Sequence, residues 1–113
     1  MPLQIFQKGD VVDDGDGLIG RVAANGRVTD WRDIHAGRTR VDGVVFDYNE
    51  ELIGRVASDG KLYDWTGSPV GQIRSDGRVL DRGGREVGRV VDTPVTPAGG
   101  AAILLLILKV IRA

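Results

Sequence analysis

Apolar and polar positions repeat along this chain with a period of 17 residues. Each unit carries a leading glycine, with one apolar residue directly before it and a β-branched residue two positions after it. A second glycine follows six residues after the leading one, and an aspartate follows ten residues after it. The repeat positions are Gly20, Gly37, Gly54, Gly71 and Gly88; Gly26, Gly43, Gly60 and Gly77; and Asp13, Asp30, Asp47, Asp64 and Asp81. In the first unit Leu3 stands in the place of the leading glycine.

Each unit predicts two short strands joined by a tight turn. Asn25-Gly26 and Asp42-Gly43 are typical of two-residue type I′ turns, in which both residues need a positive φ. Asp59-Gly60 and Asp76-Gly77 repeat the pattern, and apolar residues flank every turn. The sequence therefore predicts a meander of five hairpins and a final strand near Val87–Val91.

The leading glycine predicts a β-bulge. Ile19 precedes Gly20 and Val22 follows it by two positions, so simple alternation would place the two apolar side chains on opposite faces. A glycine bulge would shift the phase and turn both inward, while bending the strand as a closed sheet requires. The alternative is a sheet with both faces partly apolar.

Ten or more strands in meander order predict a closed or nearly closed barrel, since closure removes exposed edges. A ring of that size leaves a hole that an apolar helix could fill. Thr96-Pro97 has the residues of an N-cap and a first helical position. We therefore expect one mainly β domain: a five-repeat barrel over 1–92, a linker over 93–97 and a hydrophobic helix over 98–113 that plugs the barrel.

The helix is expected to be longer than the barrel is tall, so that its tip projects. Lys109 and Arg112 could then extend their charged ends away from an apolar environment. The residues assigned to the plug or to membrane contact are Ile103, Leu104, Leu105, Leu106, Ile107, Leu108, Val110 and Ile111.

An arginine follows the leading glycine in four units, at Arg21, Arg38, Arg55 and Arg89. One interpretation is a ring that binds anions, because a guanidinium group presents paired donors to a carboxylate or phosphate. The alternative is cross-strand pairing of these arginines with the repeat aspartates, which would fix the register. Near-equal numbers of basic and acidic residues, 15 and 16, favour the pairing.

The remaining candidates carry weaker signals. The aspartates between Asp10 and Asp16 lack the spacing of a calcium loop, and His35 has no partner implied by a motif. Trp31, Tyr48 and Trp65 follow the repeat aspartate and predict either an exposed aromatic girdle at a membrane interface or side chains that cover the barrel rim. No catalytic residue, metal site or cofactor is predicted, and the even charge balance favours neither nucleic acid nor an anionic membrane.

The pattern Ile-Gly-Arg-Val…Asp-Gly-Lys-Leu-Tyr-Asp with an apolar tail resembles the β-flower proteins, in their five-fold form. The resemblance implies a small, shallow, pseudo-symmetric barrel, similar in architecture to tubby-like domains, in which a closed barrel surrounds a hydrophobic carboxy-terminal helix. Some tubby-like proteins bind phosphoinositide headgroups through basic residues. No such basic site can be matched residue by residue here, so that function is not carried over.

These observations predict a non-enzymatic module that associates with a membrane or a partner protein through the helix tip. The competing prediction is a purely soluble structural or ligand-binding barrel with the helix fully internal. We expect a monomer. The absence of cysteine fits a cytoplasmic protein, free or at the periphery of a membrane.

Overall fold

The computed structural model describes residues 6–109 as a closed antiparallel barrel of ten strands with a helix along its axis. Every strand pairs with its neighbours in the chain, and the tenth pairs with the first. The predicted up-and-down barrel with a plugging helix is confirmed. The strands are β1 (Asp10–Asp13), β2 (Leu18–Val22), β3 (Arg27–Asp30), β4 (His35–Thr39), β5 (Val44–Asp47), β6 (Leu52–Val56), β7 (Lys61–Asp64), β8 (Pro69–Ile73), β9 (Arg78–Asp81) and β10 (Glu86–Val90).

The barrel closes where β10 pairs with β1. These two strands pair as in a β-hairpin, although no loop connects them. Val90 of β10 pairs with Val11 of β1, in the same register that pairs Val22 with Val28 in a continuous hairpin. The Val91 N–H donates to the Asp10 carbonyl, at 2.9 Å, which completes the arrangement. The final strand thus takes the first position of the first repeat. Leu3, which the sequence places there, lies outside the described residues.

The predicted glycine bulge is present at every second interface of the barrel. Between β5 and β6, Val45 pairs with Gly54 and Phe46 with Leu52, so Ile53 is the extra residue. Ile53 and Val56 are consequently both buried, although they are three positions apart on one strand. The bulge therefore turns two apolar residues per strand into the core.

The predicted type I′ turns are wrong. The Ala23 N–H donates to the Arg27 carbonyl and the Gly26 N–H donates to the Ala23 carbonyl, so the loop has three residues. Gly26 takes a φ of 90°, whereas Asn25 keeps a negative φ. This is a type I turn followed by a left-handed glycine. An Asn-Gly pair fits either turn, and the register of the flanking strands selects between them.

The axial helix consists of an α-helical part, α1 (Val95–Ala101), followed by a π-helical part (Ala102–Ile107). Pro94 is the N-cap and makes no side-chain capping bond. The predicted N-cap at Thr96 and helix start at Pro97 are therefore wrong, because the helix begins at Val95. Val110, Ile111 and Arg112 lie outside the described residues.

Ala98–Leu106 are buried inside the barrel, and Ile107 and Leu108 are half-buried against the same core. A Cβ atom at Gly99 would lie 2.6 Å from a methyl carbon of Val56, and one at Gly100 would overlap the side chain of Thr39. These two glycines let the helix pass the narrowest part of the barrel. The residues assigned from sequence to the plug lie in the plug as far as the structure describes them.

The π-helical winding matches the five-fold arrangement of the leading glycines. A Cβ atom at Gly37 would lie 2.9 Å from Leu104, and one at Gly20 would lie 2.5 Å from Leu105. The same relation holds between Gly88 and Leu106, and between Gly71 and Ile107. Each step along the helix therefore moves to the adjacent repeat, about 72° around a five-fold ring. An α-helix turns about 100° per residue, so the more slowly turning π-helix fits this spacing better.

Candidate functional site

The repeat aspartates stabilise their own turns. The Oδ1 atom of Asp47 accepts the N–H groups of Asn49 and Glu51 at 2.8 and 3.0 Å, and the other four repeat aspartates bind the same two positions of their turns. The predicted pairing of the repeat aspartates with the arginines that follow the leading glycines is therefore wrong. Each repeat aspartate accepts backbone N–H groups of its own turn instead of bonding an arginine that follows a leading glycine.

Two of these aspartates have a lowered pKa. Burial raises the pKa of Asp30, but a hydrogen bond from the Arg32 side chain and the N–H groups of Ile34 and Arg32 outweigh it and hold the pKa below its ordinary value. For Asp64 the Thr66 hydroxyl lowers the pKa most. Both carboxylates thus remain charged and fixed within their turns.

Three of the four ring arginines pair with acids other than the repeat aspartates. Arg38 binds Glu50 with Nη2–Oε2 and Nε–Oε2 distances of 2.7 and 3.0 Å. Arg89 binds Asp16 at 2.7 Å. Arg21 binds the buried carboxylate of Asp10 at 2.8 Å. Most arginines of the predicted anion ring are therefore already bound to a carboxylate of this protein, and no sequence motif indicates these partners.

Glu50 and Asp16 occupy the same position in their repeats. Each is the third loop residue of the second turn, where φ is 63°. Arg38 precedes Glu50 by 12 residues, and Arg89 stands in the same relation to Asp16 across the barrel seam. In two other repeats this left-handed position holds Gly67 and Gly84, so no acidic side chain reaches the neighbouring strand.

Arg55 is the ring arginine without a carboxylate partner among residues 6–109. Its guanidinium carbon lies 4.2 Å from the centroid of the Tyr63 ring. Beside it a groove of about 330 Å³ opens on the outer wall of the barrel. We call it the Arg55 groove, lined by Val44, Leu52, Gly54, Arg55, Asp64, Trp65, Thr66 and Gly67.

The next repeat has a groove at the equivalent place, with a volume of about 460 Å³. There Gln72 replaces the arginine, Pro69 replaces Leu52 and Arg82 replaces Trp65. Both grooves occur where the left-handed loop residue is glycine. The Arg55 groove differs by combining a guanidinium group with an aromatic and an aliphatic wall.

Three loops at one end of the barrel carry aromatic residues. Trp31, Tyr48 and Trp65 follow the repeat aspartate in three successive repeats, so the meander places their loops at the same end. The two tryptophans are 54 and 62% exposed, and Leu52 at this end is 52% exposed. Exposed tryptophans at this place fit both predicted roles, an aromatic girdle and a cover of the barrel rim. We call this surface the tryptophan end.

The other candidates form no recognisable centre. His35 lies on β4, and its Nδ1 atom is buried without a hydrogen-bond partner in the described part of the chain. Within 6–109 no three histidine, aspartate or glutamate side chains are grouped as a metal ion would require. None of the helices in this range has both the length and the hydrophobicity of a membrane-crossing segment.

The chain matches no protein-family model, and comparison with curated proteins and with solved structures returned no match. The β-flower resemblance therefore stays a prediction from the repeat, and function is argued from the geometry of the barrel alone.

Proposed function

We propose that this protein is a non-enzymatic interaction module that binds a partner protein through the tryptophan end. The observation that carries the proposal is the exposure of Trp31 and Trp65, each more than half accessible, on a small barrel whose core is already filled by its own helix. Exposed tryptophans are enriched among the residues that dominate binding energy at protein interfaces. Exposed apolar surface on a small domain often marks such a site.

The position of the helix inside the barrel helps to decide between binding to a membrane and binding to a partner protein. Residues Ile103–Leu106 fill the barrel, so they are not available to insert into a bilayer while the barrel is closed. The loops at the tryptophan end also carry Asp14, Asp33 and Glu51, which make no ion pair within 6–109. Negative charges of this kind disfavour approach to an anionic lipid surface, which favours a protein partner.

Site-specific photo-crosslinking in cells that produce the protein tests the proposal. A photoreactive amino acid at position 31 or 65 should give the same adduct, and one at position 41 should not, since Val41 is fully exposed in a loop at the opposite end. Adducts of equal yield from all three positions would contradict the proposal.

Intrinsic fluorescence tests the membrane alternative, because Trp31 and Trp65 are the two tryptophans of the chain. Vesicles of phosphatidylcholine and phosphatidylserine should leave the emission maximum unchanged. A blue shift, together with flotation on the vesicles that is lost in the Trp31→Ser/Trp65→Ser double variant, would overturn the protein-partner proposal in favour of a membrane surface.

A further inference from the structure

The pseudo-symmetry of the barrel supplies an internal example of a carboxylate bound at the outer wall. Arg38 stacks on Phe46, with its guanidinium carbon 4.8 Å from the ring centroid, and presents Nε and Nη2 to Glu50. The guanidinium carbon of Arg89 lies 5.1 Å from the ring centroid of Phe6, which precedes β1, and its Nη1 binds Asp16. In both repeats an arginine beside an aromatic ring therefore binds the acid at the left-handed loop position.

Arg55 has the same arrangement without the carboxylate. It stacks on Tyr63, and the residue 12 positions later is Gly67 in place of an acid. Apart from Gly67 itself and its two chain neighbours, no heavy atom lies within 4 Å of the Cβ position at Gly67. The space that an acidic side chain takes up in two other repeats is therefore open beside Arg55, and the stacking holds the guanidinium group ready for a ligand.

The residues that line the Arg55 groove indicate which chemical groups of a ligand would lie next to its negative charge. Trp65 and Leu52 are 62 and 52% exposed and line the groove with Val44. Asp64 also lines it, but its Oδ1 atom is engaged by Thr66 and Ser68. Asp47 is the equivalent aspartate near the Arg38–Glu50 pair and does not prevent that pair from forming. One negative charge is thus accepted here, and a dianion such as phosphate would meet the repulsion of Asp64.

We propose that the Arg55 groove binds the carboxylate of a glutamate or aspartate of the partner protein. An apolar residue next to that acid in the partner would pack on Trp65 and Leu52. This inference rests on the proposed interaction function and names the chemistry that the partner presents: an acidic residue beside an apolar one in an exposed segment.

A peptide pair tests the recognition of the carboxylate. The probes are acetyl-Ala-Leu-Glu-Leu-Ala-amide and the same peptide with glutamine in place of glutamate, titrated against the full chain. The glutamate peptide should shift the NMR signals of the Arg55 Nε–H and the Trp65 indole N–H, and leave that of Trp31 unchanged. The glutamine peptide should bind at least about tenfold more weakly, as expected for loss of a charge-assisted hydrogen bond. Equal binding of both peptides, or no shift with either, would overturn the inference.

Two loop variants locate the site. Gly67→Glu should reproduce the Arg38–Glu50 pair, close the groove and weaken the glutamate peptide at least about tenfold. Gly84→Glu is the matched control, because it introduces the same residue at the same loop position of the next repeat, where Gln72 replaces the arginine. It should bind the peptide as the parent does. Weakening by both variants, or by neither, would contradict the proposed site.

A third variant separates this inference from the interaction function. Arg55→Gln should abolish the preference for the glutamate peptide and reduce the photo-crosslink from position 65. If the peptides are not distinguished but the crosslinks from positions 31 and 65 persist in Arg55→Gln, carboxylate recognition is wrong and the interaction surface stands. If no specific crosslink forms at all, the proposed function fails as well.

Discussion

At the scale of single residues, one backbone position explains how charge is distributed over the outer wall. The third loop residue of the second turn is left-handed in every repeat, and it is Asp16, Asp33, Glu50, Gly67 or Gly84. A non-glycine residue in this conformation costs about 1 kcal/mol, less for aspartate. Glu50 and Asp16 offset part of that cost by pairing with an arginine, whereas Asp33 makes no ion pair within 6–109.

Asp33→Gly should therefore stabilise the protein. Relief of the left-handed backbone exceeds the added entropy of the unfolded glycine, and we expect a gain of about 0.5 kcal/mol in the free energy of unfolding. Urea denaturation measures it. Gly84→Ala is the converse control. Its Cβ would meet no atom within 4 Å beyond the chain neighbours, so the variant tests only the cost of the positive φ. We expect the free energy of unfolding to fall by about 1 kcal/mol. Equal stability of all three proteins would contradict the strain argument.

Acid should weaken the turn built on Asp30. Because the pKa of Asp30 is lower in the folded protein than its ordinary 3.8, its stabilising contribution is fully present above about pH 3.8 and is lost as pH falls through the folded pKa. Asp30→Asn should lower the melting temperature at neutral pH, and the difference from the parent should shrink in more acidic solution.

Thermal melts over a pH series measure this difference. Asp59→Asn is the matched control, since Asp59 accepts one exposed hydrogen bond, from the Lys61 N–H, which asparagine can also accept. A difference for Asp30→Asn that stays constant below pH 3.8 would exclude the carboxylate charge as the cause.

At the scale of elements, one strand position meets the helix differently from its equivalents. Thr39 lies where the other repeats have Val22, Val56, Ile73 and Val90, and Gly100 of the helix packs against it. Its hydroxyl is buried and has no hydrogen-bond partner in the described part of the chain. A buried hydroxyl without a partner lowers stability, because it loses its bonds to water.

Thr39→Val should raise the free energy of unfolding by about 1 kcal/mol, because the valine has nearly the same shape and needs no partner. Chemical denaturation measures the change. Val56→Thr, at the equivalent position against Gly99, should lower stability by a similar amount. A loss of stability in Thr39→Val would show that the hydroxyl is bonded in solution.

The strands, their bulges and the buried helix could be predicted from sequence, because each follows from a local pattern. Glycine between Ile53 and Val56 signals a phase shift, and a run without polar side chains signals burial. The turn class could not be predicted, since Asp42-Gly43 fits two loops that differ by one residue. The partners of Arg38 and Arg89 were missed for a related reason. An acid 12 positions away is recognised only once the loop length shows that it faces the arginine.

The π-helical form of the axial helix could not be predicted from the local sequence either. Ile103–Leu108 is compatible with an α-helix in isolation, and the four leading glycines that meet Leu104–Ile107 favour the π-helical form instead. The groove beside Arg55 is open because Gly67 has no side chain. This is recognised only when Gly67 is compared with Glu50, its equivalent in another repeat of the folded barrel.

At the scale of the whole molecule, the helix is the centre of the core. The strands contribute several inward rings of side chains, one of which includes Val11, Val28 and Val45, and the helix fills the space between them. Removing residues 95–113 should therefore abolish cooperative unfolding and expose apolar surface to a hydrophobic dye, as expected when a domain loses its core. Circular dichroism and dye fluorescence measure both changes.

Leu104→Ala is the graded control for this truncation. It removes one fully buried side chain and should cost about 2–5 kcal/mol while keeping a single transition. A truncated protein that still unfolds cooperatively would show that the strands form a stable ring without the helix.

The fit between the helix and the leading glycines also fixes how many copies of the 17-residue unit this chain can carry. Solenoid proteins gain and lose units readily, because each unit touches only its neighbours. Here all units touch one shared helix, and a sixth unit would place neighbouring glycines about 60° apart in a closed ring. Leu104–Ile107 would then no longer meet successive glycines. Duplication of a single unit, an easy genetic event in repeat proteins, would thus require a new axial segment at the same time.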